Sequence, residues 1–164
     1  MEVFWKALQI HPEIPREGYV GTSTNSYRSI ARERARKLGE GLGVKLALPN
    51  RISNSRFALE GAEFARDHHQ FEHYHEAVFR AYFIEGKDIG NLDVLAGLAG
   101  QCELDRELFI EALRQRRYAQ CVNASIEEAR VLFIYEVPTF IIGKKRLIGV
   151  QPFETLMEVL VETQ

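Results

Sequence analysis

The side chains best suited to redox chemistry are two thiols, Cys102 and Cys121, which lie 19 positions apart with no Cys-x-x-Cys. In a Cys-x-x-Cys pair one thiolate attacks a disulfide through a mixed-disulfide intermediate and its neighbour is placed to complete the exchange. Two distant cysteines can form such a pair only if the fold brings their Cα atoms within about 7 Å. Isolated thiols in a reducing compartment are most often buried and inert, which is the interpretation we prefer to a redox pair.

A second candidate site is formed by the main chain of the segment Val137-Pro138-Thr139. Pro138 has no N–H to give to a sheet, so it must begin the apolar run Phe140–Ile142 or lie at a sheet edge. An X-Pro bond between a helix and a strand is also a place where a cis peptide occurs. We therefore predict a cis Val137–Pro138 bond; the alternative is a proline that only ends a helix and starts a strand.

Four histidines fall within eight positions: His68, His69, His73 and His75. His69 and His73 would share a helix face at i, i+4, a spacing that can bind a metal ion. However, Gln70 and Phe71 are expected at a break between two helices, and no His-Glu-x-x-His motif is present. We predict surface histidines and no metal site.

Hydrophobic spacing predicts one early strand, a long helical middle, and a closing hairpin and helix. The run Val3–Ile10 is aromatic and β-branched, which is typical of a buried strand, and residues 11–24 have the composition of a loop. Val44–Leu48 is expected to be an extended connector. The predicted helices run from Asn25 to about Gly41, from Ser55 past Ala65, over about 71–84, 92–100 and 106–115, and around Val122–Phe133.

The C-terminal segment predicts a strand from Pro138, a tight turn, a short strand ending near Gly149, and a helix. Pro152 suits the first turn of that helix. Its apolar residues are expected to face inward; they are Phe153, Leu156, Met157 and Leu160.

Composition describes one ordinary soluble domain. The chain has 164 residues, of which 46% are hydrophobic and 27% charged, with a formal net charge of −2. This charge gives no reason to expect nucleic acid as a partner. No run approaches the roughly 18 apolar residues of a membrane span, and the apolar start is too short for a signal peptide. We therefore expect a cytoplasmic protein that does not associate with membranes.

Six short segments, in order along the chain, together resemble one known family. They are Gln9–Pro12, Pro15–Gly18, Ser53–Ala58, Phe79–Ile89, Val137–Phe140 and Gly149–Phe153. The chain resembles the DsbA-type thioredoxin superfamily, which includes FrnE-like oxidoreductases, kappa-class glutathione transferases and 2-hydroxychromene-2-carboxylate isomerases. Each segment is a weak motif alone, but together they cover nearly the whole chain.

The resemblance implies an α/β, thioredoxin-like sheet domain of the DsbA type, formed by residues 1–50 and 136–164, with an all-helical insertion at 51–135. The family's first strand and active-site helix, with its Cys-x-x-Cys or serine, would precede Val3 and are not in this sequence. Either the protein is naturally truncated, or its true start lies upstream, which we prefer. A missing central strand exposes unpaired main-chain groups, so we expect a homodimer or a rearranged sheet.

The resemblance also implies the activity and the site. It predicts a thiol–disulfide oxidoreductase that is inactive as given, with no catalytic residue and no cofactor. Protein thiols or disulfides, or glutathione, would bind at Val137, Pro138 and Thr139, with Asn54 near the substrate; the alternative for Asn54 is a helix cap. The alternative functions are a glutathione-dependent isomerase or transferase, and a non-catalytic peptide-binding module.

Overall fold

The computed structural model describes residues 3–21, 26–47 and 50–163, and for 26–28 the main chain alone. Seven helices and four short strands occur in these residues. In chain order they are β1 (Tyr19–Val20), α1 (Ser26–Gly41), β2 (Arg51–Ile52), α2 (Arg56–Asp67), α3 (Phe71–Phe83), α4 (Leu92–Gln101), α5 (Arg106–Arg114), α6 (Ala119–Val131), β3 (Thr139–Ile142), β4 (Lys145–Ile148) and α7 (Phe153–Glu162).

The core lies among α2, α3, α4 and α5. Its fully buried large side chains include Tyr74, Leu95, Phe109 and Leu113, and the ring of Phe64 packs edge-on against Phe109 with centroids 5.3 Å apart. Burying one such side chain stabilises the fold by about 1.5–3 kcal/mol. These helices therefore pack around one common core.

Two helix starts in this cluster are capped by side chains. The Asp105 carboxylate accepts hydrogen bonds from the N–H groups of Glu107 and Leu108, at 2.9 and 3.0 Å. Asn91 caps α4 in the same way. These acceptors satisfy N–H groups that have no partner within the helix.

The strands form two separate antiparallel pairs in the described part of the chain. β1 pairs with β2, with Tyr19 opposite Ile52. β3 pairs with β4, with Thr139 opposite Ile148 and Ile142 opposite Lys145 across the Gly143–Lys144 turn. The hairpin was predicted, whereas Tyr19–Val20 lies in a segment that we expected to be a loop.

The predicted strand at Val3–Ile10 is wrong, because the structure assigns no strand to these residues. A strand needs a hydrogen-bonded neighbour, and no strand of the described ranges pairs with this run. Its contacts are instead made to helices. The ring of Trp5 packs on His75 with centroids 4.5 Å apart, and the main-chain oxygen of Trp5 accepts a hydrogen bond from Arg66.

The expected orientation of the last helix is wrong in part. Phe153 and Met157 are exposed, whereas Val159 is the residue of α7 that is buried. The last turns of α7 approach the hairpin, where Lys145 forms an ion pair with Glu162. The division into a sheet domain (1–50 and 136–164) and a helical insertion (51–135) stays a prediction. Among the described helices, none combines the length and apolar character that crossing a membrane requires.

Candidate functional site

The loop before β3 is fixed by hydrogen bonds of its own. The Val137–Pro138 peptide bond is cis. The Thr139 hydroxyl donates to the main-chain oxygen of Glu136 at 2.7 Å, and the Gly149 N–H donates to the main-chain oxygen of Pro138 at 2.8 Å. Val137 itself is 51% exposed, and within the described residues its main chain makes no hydrogen bond. Two hydrogen bonds therefore hold the loop in place, and Val137 is exposed to solvent on it.

The register of the hairpin determines which main-chain groups of β3 stay open. In an antiparallel pair, residues that exchange hydrogen bonds alternate with residues that do not. The bond from Gly149 to Pro138 makes 138 a bonded position, so Phe140 and Ile142 also point their main-chain groups toward β4. The N–H and C=O groups of Thr139 and Ile141 therefore point to the opposite edge, where none of the strands described lies.

Asn54 connects the N-terminal loop to the start of α2. Its Nδ2 donates to the main-chain oxygen of Ile14 at 2.6 Å, and its Oδ1 accepts the N–H of Arg56 at 2.9 Å. The second bond satisfies the first free N–H of α2, which is the role of a cap. A substrate contact at Asn54 stays a prediction.

The structure places the predicted site residues in two separate hydrogen-bond networks. Val137, Pro138 and Thr139 share the hairpin network, whereas Asn54 belongs to the junction of the 11–18 loop with α2. No hydrogen bond or ring contact between described residues joins the two. The main-chain loop at 137–139 is therefore the better-defined candidate site.

The two cysteines do not form a redox site. Both are free, Cys102 in the core after α4 and Cys121 exposed in the first turn of α6. Burial raises the pKa of the Cys102 thiol, which opposes the thiolate that disulfide exchange requires. The expectation of two buried thiols is confirmed for Cys102 and wrong for Cys121.

The histidines are engaged in ring and hydrogen-bond contacts. The ring of His68 stacks on Phe64 with centroids 4.1 Å apart, and His73 hydrogen-bonds Gln70 at 2.7 Å. His75 lies between Trp5 and Phe79, with both ring centroids 4.5 Å away, and burial lowers its pKa. Within the described ranges, no group of three or more His, Cys, Asp or Glu side chains could hold a metal ion.

The sequence interpretation missed a buried ionic cluster that involves two residues of α2. Glu60 is fully buried and accepts hydrogen bonds from Arg56 at 2.6 Å and from Arg116 at 2.7 Å. Arg56 also reaches the main chain of Ala119 at 2.9 Å. A signal was present, because Glu60 falls between Phe57 and Phe64 on the apolar face of α2, where an unpaired charge is costly.

Comparison with known proteins agrees with this architecture. Residues 1–161 match the family model described as a DSBA-like thioredoxin domain. The chain belongs to the DsbA-like thioredoxin family. This family member is 32% identical over 150 residues to the uncharacterized protein YwbO of Bacillus subtilis (strain 168), covering 87% of this chain and 72% of YwbO.

Solved structures show the same fold at lower identity. A probable DsbA oxidoreductase from Streptomyces coelicolor superposes with a TM-score of 0.80 at 20% identity, covering 96% of this DsbA-like chain and 73% of its own. A 2-hydroxychromene-2-carboxylate isomerase superposes with a TM-score of 0.74 at 20% identity, covering 87% and 71%. The predicted family and α/β thioredoxin-like fold are thereby confirmed.

Proposed function

We propose that this DsbA-like protein binds thiol- or disulfide-containing polypeptides through the main chain of Val137, Pro138 and Thr139. The sequence as given contains no Cys-x-x-Cys, so we propose that it is a thiol–disulfide oxidoreductase by family that does not itself catalyse exchange. The observation that carries the proposal is the exposed, unpaired main chain of Val137 on a loop braced at Thr139 and Pro138.

An extended peptide can bind such a site by adding a strand. In this mode main-chain hydrogen bonds supply affinity, and pockets for alternate side chains supply specificity. Val137 and Thr139 offer main-chain groups on one side, and β4 already occupies the other side of β3. The fixed loop lowers the entropy cost of ordering the site when a peptide binds.

Disulfide exchange at this site needs a thiolate from elsewhere. A thiolate attacks one sulfur of a disulfide, forms a mixed disulfide and releases the other sulfur as a thiolate. Neither cysteine belongs to the loop at 137–139, and the Cys102 thiol is kept protonated by burial. The two free thiols are consistent with a reducing compartment, on which basis we propose a cytoplasmic location.

A peptide-binding measurement tests the main-chain contact. Fluorescence anisotropy would follow a labelled, extended peptide with one blocked cysteine, and we expect binding in the micromolar range. A series of peptides with one N-methyl group at successive residues should lose at least tenfold in affinity at alternate positions. A peptide of scrambled side chains should lose less. Equal binding of all the N-methylated peptides would overturn the proposed main-chain contact.

A reduction assay tests the absence of exchange. Insulin precipitation with dithiothreitol should proceed at the same rate with and without the protein. The double variant Cys102→Ala/Cys121→Ala is the matched control. An acceleration that the wild type shows and the double variant lacks would mean that Cys102 or Cys121 carries out the exchange.

A glutathione-dependent isomerase or transferase is the second candidate. The observation that favours it is the position of the Arg16 guanidinium, which lies 4.6 Å from the centroid of the Phe57 ring. Arg16 follows Ile14 by two residues in the sequence, and the main-chain oxygen of Ile14 accepts a hydrogen bond from Asn54. The Arg16 guanidinium can bind a carboxylate of glutathione through charge-assisted hydrogen bonds. A rise in Tm with glutathione that Arg16→Ala abolishes would favour this candidate, and an unchanged Tm would exclude it.

A further inference from the structure

An excess of positive charge surrounds the first turns of α2. Three guanidinium groups lie next to the side chains of Phe57 and Glu60; they belong to Arg16, Arg56 and Arg116. Among the described residues Glu60 is the one carboxylate bonded to these groups, and it pairs with both Arg56 and Arg116. One negative charge is therefore shared by three positive charges, and two positive charges have no bonded counter-ion in the described ranges.

Arg16 is the guanidinium with the most donors to spare. Its Cζ lies 4.6 Å from the centroid of the Phe57 ring, and the described part of the chain gives it neither a hydrogen bond nor an ion pair. Glu13, the carboxylate that precedes it in the sequence, hydrogen-bonds His11 at 2.9 Å instead. A cation–π contact holds a guanidinium without engaging an acceptor atom, so the N–H groups of Arg16 stay available to a ligand.

Arg116 approaches the same ring from the turn between α5 and α6. Its Cζ lies 5.6 Å from the Phe57 centroid, and its Nε and Nη2 donate to Glu60 at 3.0 and 2.7 Å. The side chain is 48% exposed, and no contact between described residues uses its Nη1. Because the buried Glu60 holds this guanidinium in place, little conformational entropy is lost when the remaining donors bind a ligand.

The chemistry of the cluster favours an oxyanion with two charges. Guanidinium groups bind carboxylates and phosphates through charge-assisted, often bidentate, hydrogen bonds. A carboxylate offers one charge and two acceptor oxygens, whereas a phosphate monoester carries about −1.5 to −2 at pH 7 and has three acceptor oxygens. The Phe57 side chain is buried and excludes water from one side of the cluster, which strengthens the attraction between charges. Two uncompensated positive charges therefore match a phosphate group better than a carboxylate.

We propose that Arg16 and Arg116 bind the phosphate group of a small phosphate monoester. Both guanidinium groups donate to the phosphate oxygens, and both are supported by the ring of Phe57. Arg56 adds positive charge without contacting the ligand, because its side chain is only 17% exposed and its Nε and Nη2 already donate to Glu60 and to α6.

The phosphate site does not depend on peptide binding at 137–139, which is tested separately. It shares Arg16 with the glutathione candidate, but glutathione offers carboxylates and no phosphate. Competition therefore distinguishes the two ligands. Glutathione should displace phosphate only weakly. If glutathione binds at Arg16 and Arg116 more tightly than phosphate does, the site takes carboxylates and the phosphate assignment is overturned.

An NMR chemical-shift titration of the full chain with inorganic phosphate tests the site. At low ionic strength we expect saturable binding with a dissociation constant of about 1 mM. Arg16→Gln and Arg116→Gln should each weaken binding by about tenfold or more, because each removes one charge and one set of donors. Glycerol 3-phosphate, a simple monoester, should bind at least as tightly as inorganic phosphate. Binding of inorganic phosphate alone would overturn the assignment to a monoester.

Arg117→Gln is the matched control. Arg117 adjoins Arg116 in the sequence and is 49% exposed, but it pairs with Glu111 at 2.8 Å. This variant loses the same charge as Arg116→Gln and should bind phosphate as the wild type does. Equal weakening by Arg117→Gln and Arg16→Gln would show a non-specific attraction of anions to the surface and would overturn the proposal.

Arg16→Gln keeps the test decisive if Arg116→Gln does not fold. In the described residues Arg16 makes no hydrogen bond to Glu60, so this substitution leaves the buried ion pairs intact. Circular dichroism checks the folding of each variant. The proposal would be overturned by a wild type without saturable phosphate binding, or by an Arg16→Gln variant that binds phosphate as tightly as the wild type.

Discussion

Glu60 is held by two guanidiniums with very different access to water. The side chain of Arg56 is 17% exposed and that of Arg116 is 48% exposed, whereas Glu60 is completely buried. Glu60→Gln keeps the shape but leaves two cations without their counter-ion, and breaking a buried ion pair in this way destabilises by about 3 kcal/mol or more. Urea denaturation should show this loss as a lower midpoint at unchanged m-value.

The matched control is a surface pair of the same chemistry. Glu127 pairs with Arg130 at 2.7 Å, and both side chains are more than half exposed. Exposed pairs contribute little to stability, so Glu127→Gln should leave the midpoint unchanged. Equal losses for Glu60→Gln and Glu127→Gln would contradict the argument from burial.

Tyr74 carries a buried hydroxyl without a hydrogen-bond partner among the described residues. Burial raises its pKa, so the group stays neutral. Because an unsatisfied polar group is costly to bury, Tyr74→Phe should raise the free energy of unfolding by about 1 kcal/mol. Thermal or urea unfolding measures this change, and a destabilised Tyr74→Phe variant would mean that the hydroxyl has a partner after all.

Gly61 gives a coupled prediction at the same place. A Cβ atom on Gly61 would lie 2.8 Å from the ring of Phe109 and closer still to the Tyr74 hydroxyl. Gly61→Ala should therefore cost about 2–3 kcal/mol through overpacking. In the Tyr74→Phe background the cost should fall, because one of the two clashes is gone; urea midpoints of the four variants measure this coupling. Additive effects would show that the hydroxyl does not limit the space at Gly61.

At the scale of elements, helices were predictable and the first strand was not. The periodicity that predicted helices near 71–84 and 92–100 is local, and the observed α3 and α4 begin and end within a few residues of it. A strand depends on a partner strand, and the partner can lie anywhere in the chain. Val3–Ile10 has strand composition but no neighbour in the described residues, so its Trp5 packs on α3 instead.

The contact between this segment and α3 should depend on pH. Burial lowers the pKa of His75; Glu72 opposes this shift and Arg66 adds to it. The contact of this segment with α3 therefore favours the neutral imidazole of His75. The stability that the contact contributes is complete above about pH 6.5, the ordinary pKa of histidine, and is lost as pH falls toward the lowered pKa of His75. Trp5 is the only tryptophan of the chain, so its emission should shift to the red below pH 6.5.

His75→Phe is the control for this titration. Phenylalanine can keep the ring contact with Trp5 and Phe79 but has no proton to gain. The emission of this variant should be constant from pH 8 to pH 5. A variant that still shifts over this interval would assign the pH dependence to another group.

At the scale of the whole molecule, the family and fold class were predictable because six weak segments keep their order over the length of the chain. Part of the candidate site was predictable too, because a proline directly before an apolar run indicates a loop at 137–139. The structure shows the hydrogen bonds that hold this loop in place. The open edge of β3 was not predictable from the sequence, because the direction in which each main-chain group points follows from the register with β4. The Glu60 cluster needed the approach of Arg116 from a distant part of the sequence.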